Sequence, residues 1–210
     1  MNAFTVILPH QRNSGNDRAL RVCLDCLLAN TRHDFAVLIS AAHDQPLWET
    51  INRLVGQAET DCCVFTHSDM FFAPGWDVPM LAAWRKYTFV TNIVVEPGAI
   101  GVYPQNVWAD FGRTPETFRR TDFEAWCEIA GMPEGEGWQA PYMFSRSAWL
   151  NAGGLDTSAE AFPRGDPGIA LFEKWKLMGR QVRRARSFVY HLQRWSELDE
   201  QNHVKRQVSP

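Results

Sequence analysis

The chain has 210 residues, of which 45% are hydrophobic, 21% charged and 12% aromatic, the balance of an ordinary globular protein. This balance argues against a disordered or collagen-like chain, and no apolar run reaches the roughly 20 residues of a membrane-spanning helix. A formal net charge of -3 provides no overall attraction to nucleic acid. We therefore expect no membrane span and no nucleic-acid partner.

The five cysteines are odd in number, and the first residues lack the basic and then apolar pattern of a secretion signal. These features favour a reduced, cytoplasmic protein. Cys23 and Cys26 have C-x-x-C spacing, but they lie within an apolar helical pattern and no second Cys or His pair follows at zinc-finger spacing. We interpret them as core residues, because free cysteine behaves as a small buried hydrophobe.

Apolar residues recur along the chain at spacings that alternate between strand and helix. In chain order they predict a strand at 4–8, a helix around 20–28, a strand at 35–39, a helix at 47–58, a strand at 62–66 and a helix at 76–86. A strand at 88–95, a helix at 115–130, a strand at 141–144, a brief helix after Ser145, a helix at 169–178 and a strand at 182–190 follow. Thr114 is the expected N-cap of the helix at 115–130, with Pro115 at its first position.

This alternation is typical of βαβ units and a mostly parallel sheet. In such sheets, ligands bind at the carboxyl ends of the strands. The loops after the first three strands are therefore where we expect chemistry. Their candidate polar side chains are those of His10, Arg12, Asp44, His67 and Asp69.

Four motifs follow one another along the chain. They are an opening strand Thr5-Val-Ile-Leu-Pro9 with the helix end Leu24-Asp-Cys-Leu-Leu-Ala-Asn-Thr31, the acidic segment Thr66-His-Ser-Asp-Met70 followed by Pro74-Gly-Trp76, the pair Gly153-Gly-Leu-Asp156 and Gly165-Asp166-Pro167, and Tyr190-His191. In this order they resemble the family-two glycosyltransferases of the GT-A fold, over about residues 4 to 195.

The resemblance implies a Rossmann-like, three-layer α/β/α sandwich with a mostly parallel central sheet. It implies one domain over residues 1–210, with a nucleotide-binding half at 4–97, an acceptor and catalytic half at 98–195 and a C-terminal tail at 196–210.

The resemblance also implies a nucleotide-diphosphate sugar donor, whose leaving group gains negative charge that a bound Mn2+ or Mg2+ offsets. Asp69 supplies a carboxylate and His191 an imidazole, and both residue types suit such cations. The family usually has an acid at the position of His67. Here His67 is either a further metal or phosphate contact, or it marks a site that binds metal more loosely. The alternative is that Asp69 caps a turn and His191 is a buried, hydrogen-bonded ring.

The same resemblance places nucleotide contacts in the first loop and beside the acidic segment. The candidates are Pro9, His10, Arg12, Asp44 and Ser68. Arg12 either forks onto phosphate oxygens or is a solvated loop residue. Where the family has paired aspartates after the second strand, this chain has Ala41 and Ala42. Asp44 comes later, so it is either a base contact or only a helix cap.

Asp166 matches the family's general base, which removes the proton of the acceptor hydroxyl in an inverting transfer. It precedes a predicted helix, whose N-terminus favours an ionised carboxylate, and it is also suited to cap that helix ahead of Pro167. Trp108, Trp138 and Tyr142 either stack on sugar rings or belong to the core.

The sequence thus predicts a metal-dependent glycosyltransferase that moves a sugar from a nucleotide donor to a glycan or other hydroxyl acceptor, with inversion. A second interpretation is a GT-A-like module that binds a nucleotide or glycan without catalysis, favoured by His67 and by Ala41-Ala42. A third, a nucleotidyltransferase, ranks last because the chain lacks a glycine-rich, basic loop after its first strand.

Overall fold

The computed structural model describes residues 2–10, 14–41, 47–98, 105–132, 139–156 and 167–193. The strands are β1 (Phe4–His10), β2 (Phe35–Ala41), β3 (Cys62–Phe65), β4 (Met70–Phe72), β5 (Thr88–Glu96), β6 (Val107–Trp108), β7 (Tyr142–Ser145) and β8 (Gln181–His191). The helices are α1 (Ser14–Asn30), α2 (Leu47–Gln57), α3 (Asp77–Ala83), α4 (Arg120–Ile129), α5 (Arg146–Asn151) and α6 (Pro167–Leu177).

The strands form one curled sheet in the order β2-β1-β3-β7-β5-β8-β4, with β6 paired to β5. β1 is parallel to β2 and β3, and β5 is parallel to β6 and β8. β7 is antiparallel to both β3 and β5, and β4 is antiparallel to β8. Parallel pairings are therefore the majority among the described strands, and the predicted α/β fold class is confirmed.

The sheet separates two apolar cores, because alternate residues of a strand point to opposite faces. In β1, Phe4, Val6 and Leu8 belong to one core, whereas Ile7 belongs to the other. All seven residues of this strand are buried, as expected for a strand covered on both faces.

Helices supply the outer layers. The first core contains buried side chains of α1, α3 and α4, namely Cys23, Cys26, Leu27, Met80, Phe123 and Cys127. The second contains those of α2, α5 and α6, namely Ile51, Leu54, Val55, Ala148, Trp149, Phe172 and Trp175. This is the three-layer arrangement that the resemblance implies. The predicted core role of the C-x-x-C cysteines is confirmed, since Cys23 is 0% and Cys26 1% exposed.

The helix predicted at 115–130 begins later, at Arg120, so its predicted start was wrong. Thr114 and Thr117 form a turn, in which the Thr117 amide lies 3.2 Å from the Thr114 carbonyl oxygen and 3.1 Å from the Thr114 hydroxyl oxygen and donates to both. The Arg119 amide then donates to the Phe111 carbonyl at 2.7 Å. Because Arg119 is paired with Phe111 in this way, the residues between them form a turn, and Pro115 does not start a continuous helix.

Two short strands, β4 and β6, were not predicted. Each has at most three residues, too few for a periodic signal, and each depends on pairing with a long strand elsewhere in the sequence. Within the described residues, no helix has the length and apolar character needed to cross a bilayer.

Candidate active site

Four of the strands that end at one edge of the sheet carry the candidate side chains. β1 and β3 run in one direction, and β5 and β8 run in that direction too, since β7 is antiparallel to both β3 and β5. Their carboxyl ends carry His10, the segment 66–69, Glu96 and His191. Carboxyl ends of parallel strands are the usual ligand edge of α/β sheets.

His67, Asp69 and His191 form a cluster at this edge, with one ligand atom of each lying within 4.8 Å of the others. The Nε2 atom of His191 lies 3.5 Å from Oδ2 of Asp69. Pairing of β4 with β8 sets this contact, because Met70 is in register with His191 and the Leu192 amide donates to the Asp69 carbonyl at 3.2 Å. The backbone thus holds the aspartate and the distant histidine side by side.

The His67 end of the cluster is held by β1, β3 and α1. The Thr66 amide donates to the Ile7 carbonyl at 3.1 Å. The carbonyl of His67 accepts from the Cys23 thiol at 3.8 Å, and the His67 ring packs edge-on against Phe65 at 5.2 Å between centroids. The segment between β3 and β4 is therefore anchored on both sides.

Charge in the cluster follows from burial and neighbours. Burial raises the pKa of Asp69, but His191, which also donates a hydrogen bond, and His67 outweigh it and lower that pKa to about 2. Burial lowers the pKa of His191, but Asp69 and then Glu96 outweigh it and raise that pKa to about 9. Asp69 is therefore a carboxylate at neutral pH.

These side chains fit a hard divalent cation. Around an octahedral Mg2+ or Mn2+, ligand atoms about 2.1 Å from the ion are separated by about 3 Å when adjacent and about 4 Å when opposite. The observed 3.5 Å between His191 and Asp69 and the 4.8 Å limit of the whole cluster lie close to these separations. The carboxylate suits Mg2+ and Mn2+ alike, and the two imidazoles favour a transition-metal ion such as Mn2+ over Mg2+.

Glu96 is a member of this region that our reading of the sequence missed. It is the last residue of β5 and is 0% exposed. His191 donates through Nδ1 to Oε1 of Glu96 at 3.0 Å, while Oε2 of Glu96 has no hydrogen-bond partner in the described part of the chain. The available signal was an acid directly after the apolar Val94-Val95 at the carboxyl end of a predicted strand.

The candidate nucleotide contacts that the structure describes lie at this same edge of the sheet, but they differ in exposure. Pro9 is in register with Ser40 and is buried, and His10 is 3% exposed with its Nε2 atom 2.6 Å from Oδ1 of Asp17. Ser68 is half-buried in the turn between His67 and Asp69.

No protein-family model matches the sequence, and no curated protein matches it either. Solved structures do. GalNAc-T7 with UDP, GalNAc and Mn2+ has a TM-score of 0.60 and 8% identity, over 91% of this chain and 43% of that one. TarS 1-349 of S. aureus in complex with UDP has a TM-score of 0.53 and 12% identity, over 92% of this chain and 59% of that one. Both are GT-A-type glycosyltransferases. The chain has the GT-A fold.

This GT-A chain spans about half of the length of those two proteins. Four of its predicted site residues, Arg12, Asp44, Trp138 and Asp166, lie outside the described residues. Among the described candidates, the structure brings the predicted metal residues together and places Pro9, His10 and Ser68 at the same edge of the sheet.

The GT-A chain also holds its double-glycine segment firmly. Gly153 and Gly154 have positive φ values of 81° and 66°, and a Cβ on Gly154 would collide with the side chain of Asn52. Asn52, on α2, makes three hydrogen bonds to residues on either side of these glycines. The motif is thus a tight turn packed against α2.

Proposed function

We propose that this chain is a metal-dependent glycosyltransferase that moves a sugar from a nucleotide-diphosphate donor to an acceptor hydroxyl, with inversion at the anomeric carbon. One observation carries the proposal. A carboxylate and two imidazoles meet within 4.8 Å of one another at the carboxyl edge of a GT-A sheet. This is where a cation would contact a diphosphate bound at the strand ends.

Asp69, His191 and His67 are the residues that would hold the cation. A bound Mn2+ or Mg2+ offsets the negative charge that develops on a diphosphate leaving group. Asp69 is ionised at neutral pH because His191 and His67 outweigh the effect of burial on its pKa. Ser68 and His10, on the same edge, are the proposed neighbours of the nucleotide.

Asp166 is the proposed general base. An inverting transfer needs a carboxylate beside the acceptor hydroxyl, on the face of the sugar opposite the diphosphate. Asp166 directly precedes Pro167, where α6 begins, and a helix N-terminus stabilises a carboxylate in its ionised form. Its role in the reaction is to take the proton of the acceptor hydroxyl as the bond between the sugar and that hydroxyl oxygen forms.

Trp108 is the proposed platform for a glycan acceptor. It is in register with Glu96, and Glu96 follows Val95, which is in register with Tyr190. Trp108 therefore shares the sheet face of Glu96 and His191, about 10 Å across two strands from the histidine. Trp108 is 67% exposed, and the axial C–H groups of a sugar ring pack on an exposed aromatic ring. Tyr142, by contrast, is 3% exposed and is a core residue.

The test is binding and turnover with defined ligands. UDP is the first nucleotide to try, because both structural neighbours were solved with it. With Mn2+ and UDP at about 100 times Kd, stability should rise by about 2.7 kcal/mol, visible as a higher melting temperature. Asp69→Asn should abolish this shift, whereas Asp25→Asn, on the exposed face of α1, should retain it.

Turnover separates the enzyme from a binding module. A panel of UDP-sugars with Mn2+ should give sugar transfer or slow hydrolysis in the wild type and none in Asp166→Asn, while both proteins bind UDP equally. Binding without turnover in either protein would favour the non-catalytic module. Absence of any nucleotide shift, together with no effect of Asp69→Asn, would refute the proposed site.

A further inference from the structure

We propose that Glu96 is a positioning residue that orients His191 toward the cation site. Its carboxylate holds the Nδ1–H group of His191, so that Nε2 of the same ring points toward Asp69. This inference rests on the proposed function, because the cation is the group that Nε2 would meet.

The geometry of β5 and β8 supports the assignment. The two strands are parallel, and Val95 is in register with Tyr190, so the next residues, Glu96 and His191, are neighbours. The Oε1 atom of Glu96 lies 3.0 Å from Nδ1 of His191, and the other ring nitrogen lies 3.5 Å from Asp69. The imidazole thus bridges two carboxylates through its two nitrogens.

The position of Glu96 is itself well defined. Its side chain is 0% exposed, and its backbone carbonyl accepts a hydrogen bond from the Ala109 amide at 3.1 Å, just after β6. A buried side chain whose strand is paired on both sides has little freedom to turn away. Glu96 therefore offers a fixed acceptor to the ring.

The chemistry explains why an acceptor is needed there. An imidazole that binds a metal is neutral, with a lone pair on one nitrogen and a hydrogen on the other. A carboxylate accepts hydrogen bonds and donates none, so Glu96 selects the tautomer with hydrogen on Nδ1. When the ring is neutral, the lone pair is then on Nε2, the nitrogen beside Asp69. Partners of this kind typically change metal affinity by about 10- to 100-fold when they are removed.

The surroundings of Glu96 point to the same partner. A buried polar group is unfavourable unless it is hydrogen-bonded. Oε1 of Glu96 bonds to His191, and Oε2 of Glu96 has no hydrogen-bond partner among the described residues. Within the described part of the chain, the side-chain hydrogen bond of this acid is therefore the one to His191.

Manganese affinity provides the first test. Mn2+ binding is measured by electron paramagnetic resonance on the full chain, for the wild type, Glu96→Ala and Glu96→Gln. Glu96→Ala should weaken binding by about 10- to 100-fold. Glu96→Gln keeps an acceptor oxygen in the same place, so its loss should be smaller, and it provides a variant of nearly unchanged shape if Glu96→Ala does not fold. Glu124→Gln, an acid on α4 paired with Arg120, is the control and should bind as the wild type.

A double-mutant cycle distinguishes positioning from general stabilisation. If Glu96 acts through His191, then Glu96→Ala or Glu96→Gln has no further effect on Mn2+ affinity once His191 has been changed to Ala. Equal effects of the Glu96 substitution with and without His191 would overturn the proposal.

A spectroscopic readout is independent of metal. In the metal-free wild type, 15N-edited spectra of His191 should show a hydrogen-bonded Nδ1–H group, and this signal should be lost in Glu96→Ala. A wild type that keeps the signal but binds no Mn2+ would overturn the proposed function and leave only the contact between Glu96 and His191. A wild type that binds Mn2+, with affinity and signal both unchanged in Glu96→Ala, would overturn the positioning role alone.

Discussion

Removal of the Asn52 side chain should loosen the double-glycine turn. Its Nδ2 group donates to the Leu155 carbonyl at 2.8 Å, and its Oδ1 atom accepts from the Leu155 amide at 2.9 Å and from Nε1 of Trp149 at 3.1 Å. Leu155 is 3% and Trp149 0% exposed. In Asn52→Ala, these buried groups lose their partner and water does not easily replace it.

The expected cost follows from the three bonds. Each hydrogen bond of this kind contributes about 1 kcal/mol, so the loss of all three should lower the free energy of unfolding by about 3 kcal/mol. In a chain of this size, that loss corresponds to a fall of about 6–12 °C in melting temperature. Asn52→Asp keeps the accepting oxygen but sets a second oxygen opposite the Leu155 carbonyl, so its cost should exceed the about 1 kcal/mol of the one lost hydrogen bond.

Urea unfolding and hydrogen exchange provide the measurements. The unfolding midpoint should fall with an unchanged slope, and the Leu155 amide, which donates to Asn52, should exchange faster. Arg53→Ala is the control, since Arg53 is the next residue of α2 and its bond to Ser40 is exposed. A midpoint for Asn52→Ala equal to that of the control, with slow exchange retained at Leu155, would refute the reasoning.

Three further predictions concern pH, capping and the acceptor. The pKa of His191 is raised to about 9, so Mn2+ must displace a proton from His191 at neutral pH. The affinity for Mn2+ should therefore increase from pH 6 to pH 9 by up to about tenfold per pH unit. A calorimetric Mn2+ affinity that does not change with pH would contradict this. Asp61 accepts from the Ser147 amide and the Ser145 hydroxyl, both at 2.8 Å, so Asp61→Ala should cost about 1 kcal/mol at pH 7. Burial raises the pKa of Asp61, but these hydrogen bonds outweigh it and lower that pKa. The stabilisation by Asp61 is therefore present above the pKa of the unfolded state and is lost as pH falls through the pKa of the folded state. In urea unfolding, the difference in midpoint between the wild type and Asp61→Ala should be smaller at pH 3 than at pH 7. Trp108→Ala should raise the KM for a glycan acceptor about tenfold and leave the KM for the donor unchanged. Trp108→Phe should keep most of the wild-type affinity for the acceptor. Equal changes in both KM values would contradict an acceptor role.

Much of the fold could be predicted because its signals are local. Buried strands such as 62–66 and amphipathic helices such as 47–58 are visible as apolar periodicity within one segment, and helices between strands imply a sheet covered on both faces. The start of α4 and the existence of β4 and β6 were not visible in this way. They depend on contacts with Phe111, β8 and β5, which are distant in the sequence.

For the candidate site, the sequence by itself determined that Asp69, His67 and His191 follow strands, and therefore that they belong to the ligand edge of an α/β sheet. Only the tertiary structure decided that these side chains meet, since antiparallel pairing of β4 with β8 sets Asp69 beside His191. It also decided that Glu96 is buried against the second nitrogen of that ring. The physical reason is that strand ends are fixed by local apolar patterning, whereas strand order and register come from hydrogen bonds between segments far apart in the chain.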